Sequence, residues 1–127
     1  MERAVEGFTA VCFFAVGLSH LAQPLAWVEF FAWLRGQGRC AVFLEGLLTL
    51  NVGALVVAFH NVWVGPPVVI TVLGWAMVLK GTVRLAAPGL GLCAYARIVP
   101  ERAWHFRAAG AFALALSAFA GYLALSV

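Results

Sequence analysis

The stretch AFHNVWVGPPVVITVLGWAMVLKG, residues 58–81, decides the fold. A polar cluster, His60-Asn61-Val62-Trp63, interrupts an almost unbroken apolar run, and Lys80 then appears inside the next run. Two apolar runs divided by a short loop with two prolines read as two helices joined by a tight hairpin. Working outward, the same pattern recurs along all 127 residues. Apolar residues make up 65% and charged residues 10%. Soluble domains average about 45–50% and about 25%. So few charges cannot coat a water-facing surface, and the class is integral membrane.

A crossing of the hydrocarbon core takes roughly 20 apolar residues in helical form. Four segments qualify: residues 4–22, 40–60, 67–87 and 102–125. Irregular backbone in lipid would leave amides unpaired, so each must be a helix. The expected fold is all-α, a four-helix membrane bundle in a single domain. The first segment follows a poorly basic start, Met1-Glu2-Arg3, and contains Glu6, so it reads as a retained helix rather than a cleaved leader. Pro24 stops it. Leu25, Trp27, Val28, Phe31 and Leu34 then recur at roughly helical spacing, with Trp27 and Trp33 suited to headgroups. A short interfacial helix is expected there. Gly36 and Gly38 permit the turn into the second span. Pro66-Pro67 and Pro100-Glu101 open the third and fourth spans, where helix amides lack partners anyway.

Charge sets an orientation. Arg35, Arg39, Lys80, Arg84, Arg97, Arg102 and Arg107 fall on one side of this arrangement, and only Arg3 falls on the other. Basic loops stay cytoplasmic, so both termini and the HNVW loop are expected outside a bacterial inner membrane. The basic loops are short and meet the bilayer, which argues against nucleic-acid partners. Lipid and a second copy, or a larger membrane complex, are the expected partners. Glycines seven apart, Gly46 and Gly53, then Gly74 and Gly81, mark faces for close helix packing. Span four is rich in alanine, glycine and serine and is built for the same purpose.

Ionisable groups inside a bilayer are costly and are functional candidates. Glu45 lies on the order of 8 Å inside span two. It shares a helix face with Thr49, Gly53, Val56 and His60. It serves either as a proton- or ligand-binding carboxylate, or as a Glu that is paired with Lys80, Arg84 or Arg39 or held protonated by a backbone carbonyl. Lys80 either snorkels to the inner headgroups or pairs with Glu45. His60, Asn61 and Trp63 either cap and anchor the outer hairpin, with His60 bonding the last carbonyls of its helix, or grip a ligand. Asn51 points about 240° away from Glu45 around the helix, so it needs a partner on another helix or subunit. Trp75 reads as core. His20 and His105 fall at the cytoplasmic level with Glu45, Cys40 and Cys93. That makes His20 and His105 weak metal candidates, since no pair has ligand spacing. Three cysteines without CxxC spacing argue against a disulfide framework.

The chain has no nucleotide loop, nucleophile motif, HExxH or dinucleotide fingerprint. No catalytic residue is assigned and no cofactor is expected. A non-enzymatic packing or accessory subunit is favoured. The alternatives are an oligomeric proton, ion or solute transporter using Glu45, and a protein binding quinone, haem or metal near His20, His105 and Glu45.

The opening stretch resembles a pattern found in small bacterial membrane proteins of uncharacterised function, HNxW followed by TxxGWxxxxKG. Its matching residues are His60, Asn61, Trp63, Thr71, Gly74, Trp75, Lys80 and Gly81. GLSHLAQPLAW, Gly17 to Trp27, is similar to the first-helix signature of the same proteins. More remotely, four short helices with a Glu early in the second are similar to the DoxX-like group. That likeness implies an accessory membrane subunit of a redox system.

Overall fold

The computed structural model describes residues 1–126. Among them lie six α-helices and no strand. They are α1 (Glu2–Ala22), α2 (Pro24–Gly36), α3 (Arg39–Phe59), α4 (Val68–Ala86), α5 (Pro88–Ala96) and α6 (Trp104–Leu125). A 3-10 turn, Pro100–Arg102, leads into α6. Helices α1, α3, α4 and α6 are each long and apolar enough to cross a membrane.

The breaks follow from local chemistry. Pro24 crowds the residue before it, and Gln23 leaves the helical region with φ −132° and ψ 55°. Gly38 takes φ 69° between α2 and α3, and Gly65 takes φ 76° in the hairpin before α4. Only glycine enters that region without steric cost. Pro100 opens the 3-10 turn rather than α6 itself, which starts at Trp104. Helix α2 forms where the interfacial helix was expected. The loop after the third span contains a further helix, α5, which the sequence pattern did not reveal. Its segment PGLGLCAYA has two glycines, which weaken helical propensity, and it is too short for a clear period.

The chain divides into two compact units. One comprises Met1–Val28 together with the chain from Val99 on. In it α1 and α6 run antiparallel, and their backbones meet at Gly17 and Gly110. A Cβ built on Gly17 would lie 2.9 Å from the Gly110 carbonyl, and one on Gly110 would lie 2.8 Å from the Gly17 carbonyl. Ser117 donates to the Ala10 carbonyl at 2.6 Å further along the same seam. The buried face of α6 is Gly110, Ala113, Ser117, Ala120 and Leu123, of which all but the leucine are the small residues expected to pack closely.

The other unit is Glu29–Ile98. Here α3 and α4 are antiparallel and meet at all four heptad-spaced glycines. A Cβ on Gly53 would lie 2.7 Å from the Val78 amide nitrogen and 2.9 Å from the Gly74 carbonyl. One on Gly81 would lie 2.6 Å from the Leu50 amide nitrogen and 2.8 Å from the Gly46 carbonyl. Such contact requires glycine, and it brings polar side chains on facing helices within reach of each other. The opposite faces stay apolar and uncovered: Leu48 is 69% exposed, Leu79 67% and, in the first unit, Phe112 66%.

Candidate functional site

Two polar clusters lie along the α3–α4 seam, one at each end. The first centres on Glu45, two turns into α3. Lys80 and Arg84 are four residues apart on α4 and so share one face. Gly46 packed against Gly81 brings that face to Glu45. Lys80 Nζ lies 2.8 Å from Glu45 Oε1, and Arg84 Nε lies 2.9 Å from Oε2. Tyr95 of α5 donates its hydroxyl to Oε2 at 3.0 Å. The Arg84 contact is a charge pairing without a hydrogen bond, because its Nε–H finds no aligned acceptor. The guanidinium instead lies 5.6 Å from the centre of the Tyr95 ring, a cation–π contact.

Of the partners expected for Glu45, Lys80 and Arg84 are therefore present. Tyr95 was missed, because its helix was missed. Gly91 belongs to the same arrangement: a Cβ there would lie 2.6 Å from Val42 Cγ1 and 3.0 Å from Arg84 Nη1. Burial, then the hydrogen bond and negative charge of Glu45, push the Tyr95 phenol up to about 12, against the pull of Arg84. Tyr95 is thus a donor at any physiological pH. Phe31 packs on its ring at 5.5 Å.

The second cluster contains the HNVW residues. His60 is fully buried. Its Nδ1 lies 3.2 Å from Thr71 Oγ1. The Thr71 hydroxyl donates to the His60 carbonyl at 3.1 Å and accepts the Val62 amide at 2.9 Å. One threonine on α4 therefore fastens three groups at the end of α3. The His60 ring was expected to bond the last carbonyls of its own helix, and the geometry gives Nδ1 a partner on the next helix. The ring turns to Thr71, and it is the His60 backbone amide that meets the helix end, at Val56. Asn61 Oδ1 accepts the Trp63 indole at 2.9 Å and the Trp75 indole at 3.4 Å. Trp75 is 45% exposed, so it is not core. Its edge serves Asn61 while its face stays outside, a split role for which an indole is suited.

The residues of HNxW and TxxGWxxxxKG thus meet in one seam. His60, Asn61, Trp63, Thr71 and Trp75 build one end, Gly74 and Gly81 the close approach, and Lys80 the other end. Asn51 stands apart. Its amide Nδ2 donates to the Leu47 carbonyl one turn back on the same helix at 2.7 Å. This is the local alternative open to a short amide side chain.

His20 and His105 belong to the other unit. His20 Nδ1 lies 2.8 Å from the Val16 carbonyl, which fixes it as a donor. Its ring stacks on Trp27 at 4.2 Å and meets Phe106 at 5.4 Å. Trp27 in turn donates to Ser19 at 2.9 Å. His105 sits edge-on to Trp104. Among the described residues no three His, Cys, Asp or Glu side chains gather as a metal site would need. Cys12, Cys40 and Cys93 are free thiols. No protein-family model, curated protein or solved structure matches the chain.

Proposed function

We propose that this chain is a small polytopic protein of a bacterial inner membrane with a non-enzymatic role. In this reading it packs as a subunit, in copies of itself or in a larger complex. Four apolar helices with uncovered apolar faces support a bilayer as its solvent. The excess of basic residues on one set of loops supports cytoplasmic loops and external termini.

One observation carries the non-enzymatic reading. The intramembrane polar groups of α3 and α4 engage each other. Glu45 is held by Lys80, Arg84 and Tyr95, and His60 and Asn61 are held by Thr71, Trp63 and Trp75. Both oxygens of this carboxylate are already engaged by groups of the same chain, which leaves it little freedom to take up another ligand. The polar clusters act as fasteners at the two ends of a hairpin. The likeness to small bacterial membrane proteins, and remotely to DoxX-like accessory subunits, is consistent with such a role.

The test is reconstitution in liposomes. Stoichiometry by native mass spectrometry and proton and ion flux are compared for the wild type and Glu45→Gln. The expected result is altered assembly or stability and no flux above protein-free liposomes in either form. A wild-type flux lost in a correctly assembled Glu45→Gln protein overturns the reading in favour of transport.

A further inference from the structure

A cleft of about 400 Å³ opens in the unit built from α1 and α6, where α1 gives way to α2 and α6 begins. It is lined by Ala22, Gln23, Pro24, Leu25, Ala103, Trp104 and Arg107. The lining has a consistent chemistry. Arg107 lies one turn beyond Ala103 and Trp104, so all three share a face of α6. Its guanidinium is in no ion pair among the described residues, and no carboxylate lines the cleft. The Gln23 backbone amide is satisfied by the Ser19 carbonyl, while its side-chain amide has no partner among the described residues. Trp104 is 62% exposed, and its indole N–H makes no hydrogen bond among the described residues. The remaining lining, Ala22, Pro24, Leu25 and Ala103, is apolar.

A guanidinium, an amide and an indole N–H above an apolar floor match an anionic oxygen cluster joined to hydrocarbon. The cleft stands at the end of two helices long enough to cross a bilayer, on the side rich in arginine. There a tryptophan and an arginine meet headgroups. We propose that this cleft binds a phosphate ester presented by an anionic phospholipid. The phosphate sits on Arg107 with Gln23 and Trp104 as further donors, and the glycerol and first acyl carbons lie on Pro24 and Leu25. The inference rests on the membrane reading above. Alkaline carbonate extraction of membranes tests that reading alone, since a chain that washes out is not integral whatever its cleft binds.

The site is tested by native mass spectrometry of delipidated protein titrated with phosphatidylglycerol or with phosphatidylcholine of the same acyl chains. Inorganic phosphate and glycerol phosphate are added as competitors. One phosphatidylglycerol per chain is expected to bind in preference to phosphatidylcholine. Arg107→Gln is expected to weaken it about tenfold, as loss of a charge-assisted contact does. Arg3→Gln, an exposed arginine outside the cleft, is expected to leave it unchanged. Equal binding of the two lipids, or an Arg107→Gln protein that binds like wild type, overturns the proposal. Displacement of the lipid by equimolar inorganic phosphate or glycerol phosphate also overturns it and assigns the cleft to a soluble phosphate. A circular dichroism spectrum equal to wild type establishes that Arg107→Gln is folded.

Discussion

The Lys80 ammonium lies 2.8 Å from Glu45 Oε1, on the same carboxylate that Arg84 and Tyr95 reach through Oε2. The partners are not equivalent. The Lys80 side chain is 52% exposed and that of Arg84 only 15%. The outward Lys80 can turn toward headgroups instead of Glu45, and the enclosed Arg84 cannot. Glu45→Gln leaves both cations without a counter-charge and is expected to cost about 2 kcal/mol. Lys80→Gln removes one half-exposed partner and leaves Arg84 and Tyr95 on the carboxylate, and is expected to cost under about 1 kcal/mol. Reversible unfolding in detergent micelles, followed by tryptophan fluorescence, gives both values. Equal losses would contradict this ranking.

Glycine substitutions separate close packing from helix propensity. At Gly53 a Cβ meets the backbone of α4, which cannot yield as a side chain would. Gly53→Ala is expected to destabilise by about 1–3 kcal/mol through overpacking. Gly7 lies inside α1 with nothing within 4 Å of such a Cβ. Gly7→Ala is expected to be neutral or to stabilise by up to about 1 kcal/mol, because alanine is the better helix former. Thermal midpoints of the two variants should therefore move in opposite directions, or only Gly53→Ala should move.

Thr71 carries three hydrogen-bonding relationships on one oxygen. Thr71→Val keeps the shape and removes all of them, taking the acceptor from the Val62 amide and the donor from the His60 carbonyl. The expected cost is about 2 kcal/mol. Thr82 on the same helix only bonds back to the Val78 carbonyl and is exposed. Thr82→Val is expected to be close to neutral. Hydrogen exchange at the Val62 amide should rise in the first variant and not in the second.

What could be read in advance follows the periodicity. The four long helices and α2 are legible because apolar runs and proline punctuation survive any tertiary context. So are the glycine faces, since seven-residue spacing puts Gly46 with Gly53 and Gly74 with Gly81 on single sides. Glu45 with Lys80 and Arg84 was a stated option, because all three fall near one end of adjacent helices. The His60 ring was not legible. Its bond to Thr71 depends on how the hairpin folds back, which sequence spacing does not encode. Trp75 was misjudged because depth along a helix says nothing about which side of the helix faces outward. Tyr95 was invisible for a different reason. A nine-residue helix with two glycines carries no period, yet its one phenol reaches the central carboxylate.

Tyr95 supplies a pH dependence with a defined sign. Its phenol is raised to about 12 in the folded protein, above the usual 10. A raised acid favours its protonated form on folding. The stabilisation is therefore complete below pH 10 and is lost as pH rises through 12. Ultraviolet difference absorbance in a Tyr122→Phe background isolates this phenol. Tyr95→Phe is expected to cost about 1 kcal/mol at neutral pH and to abolish that alkaline step. An alkaline step that persists in Tyr95→Phe would place its origin elsewhere.

The proposed orientation rests on the basic residues flanking the helices, and it can be read chemically. Val64, in the hairpin between α3 and α4, is 83% exposed. Gln37 lies in an exposed turn between Arg35 and Arg39. With Cys12, Cys40 and Cys93 replaced by alanine, Val64→Cys and Gln37→Cys each provide one accessible thiol without altering charge. A membrane-impermeant maleimide applied to spheroplasts is expected to label Val64→Cys at once and Gln37→Cys only after permeabilisation. The reverse pattern would invert the orientation while keeping the helices in the bilayer. Immediate labelling at both positions would mean that α3 does not separate two compartments. The apolar faces of α3 and α4 would then need a protein cover instead of lipid.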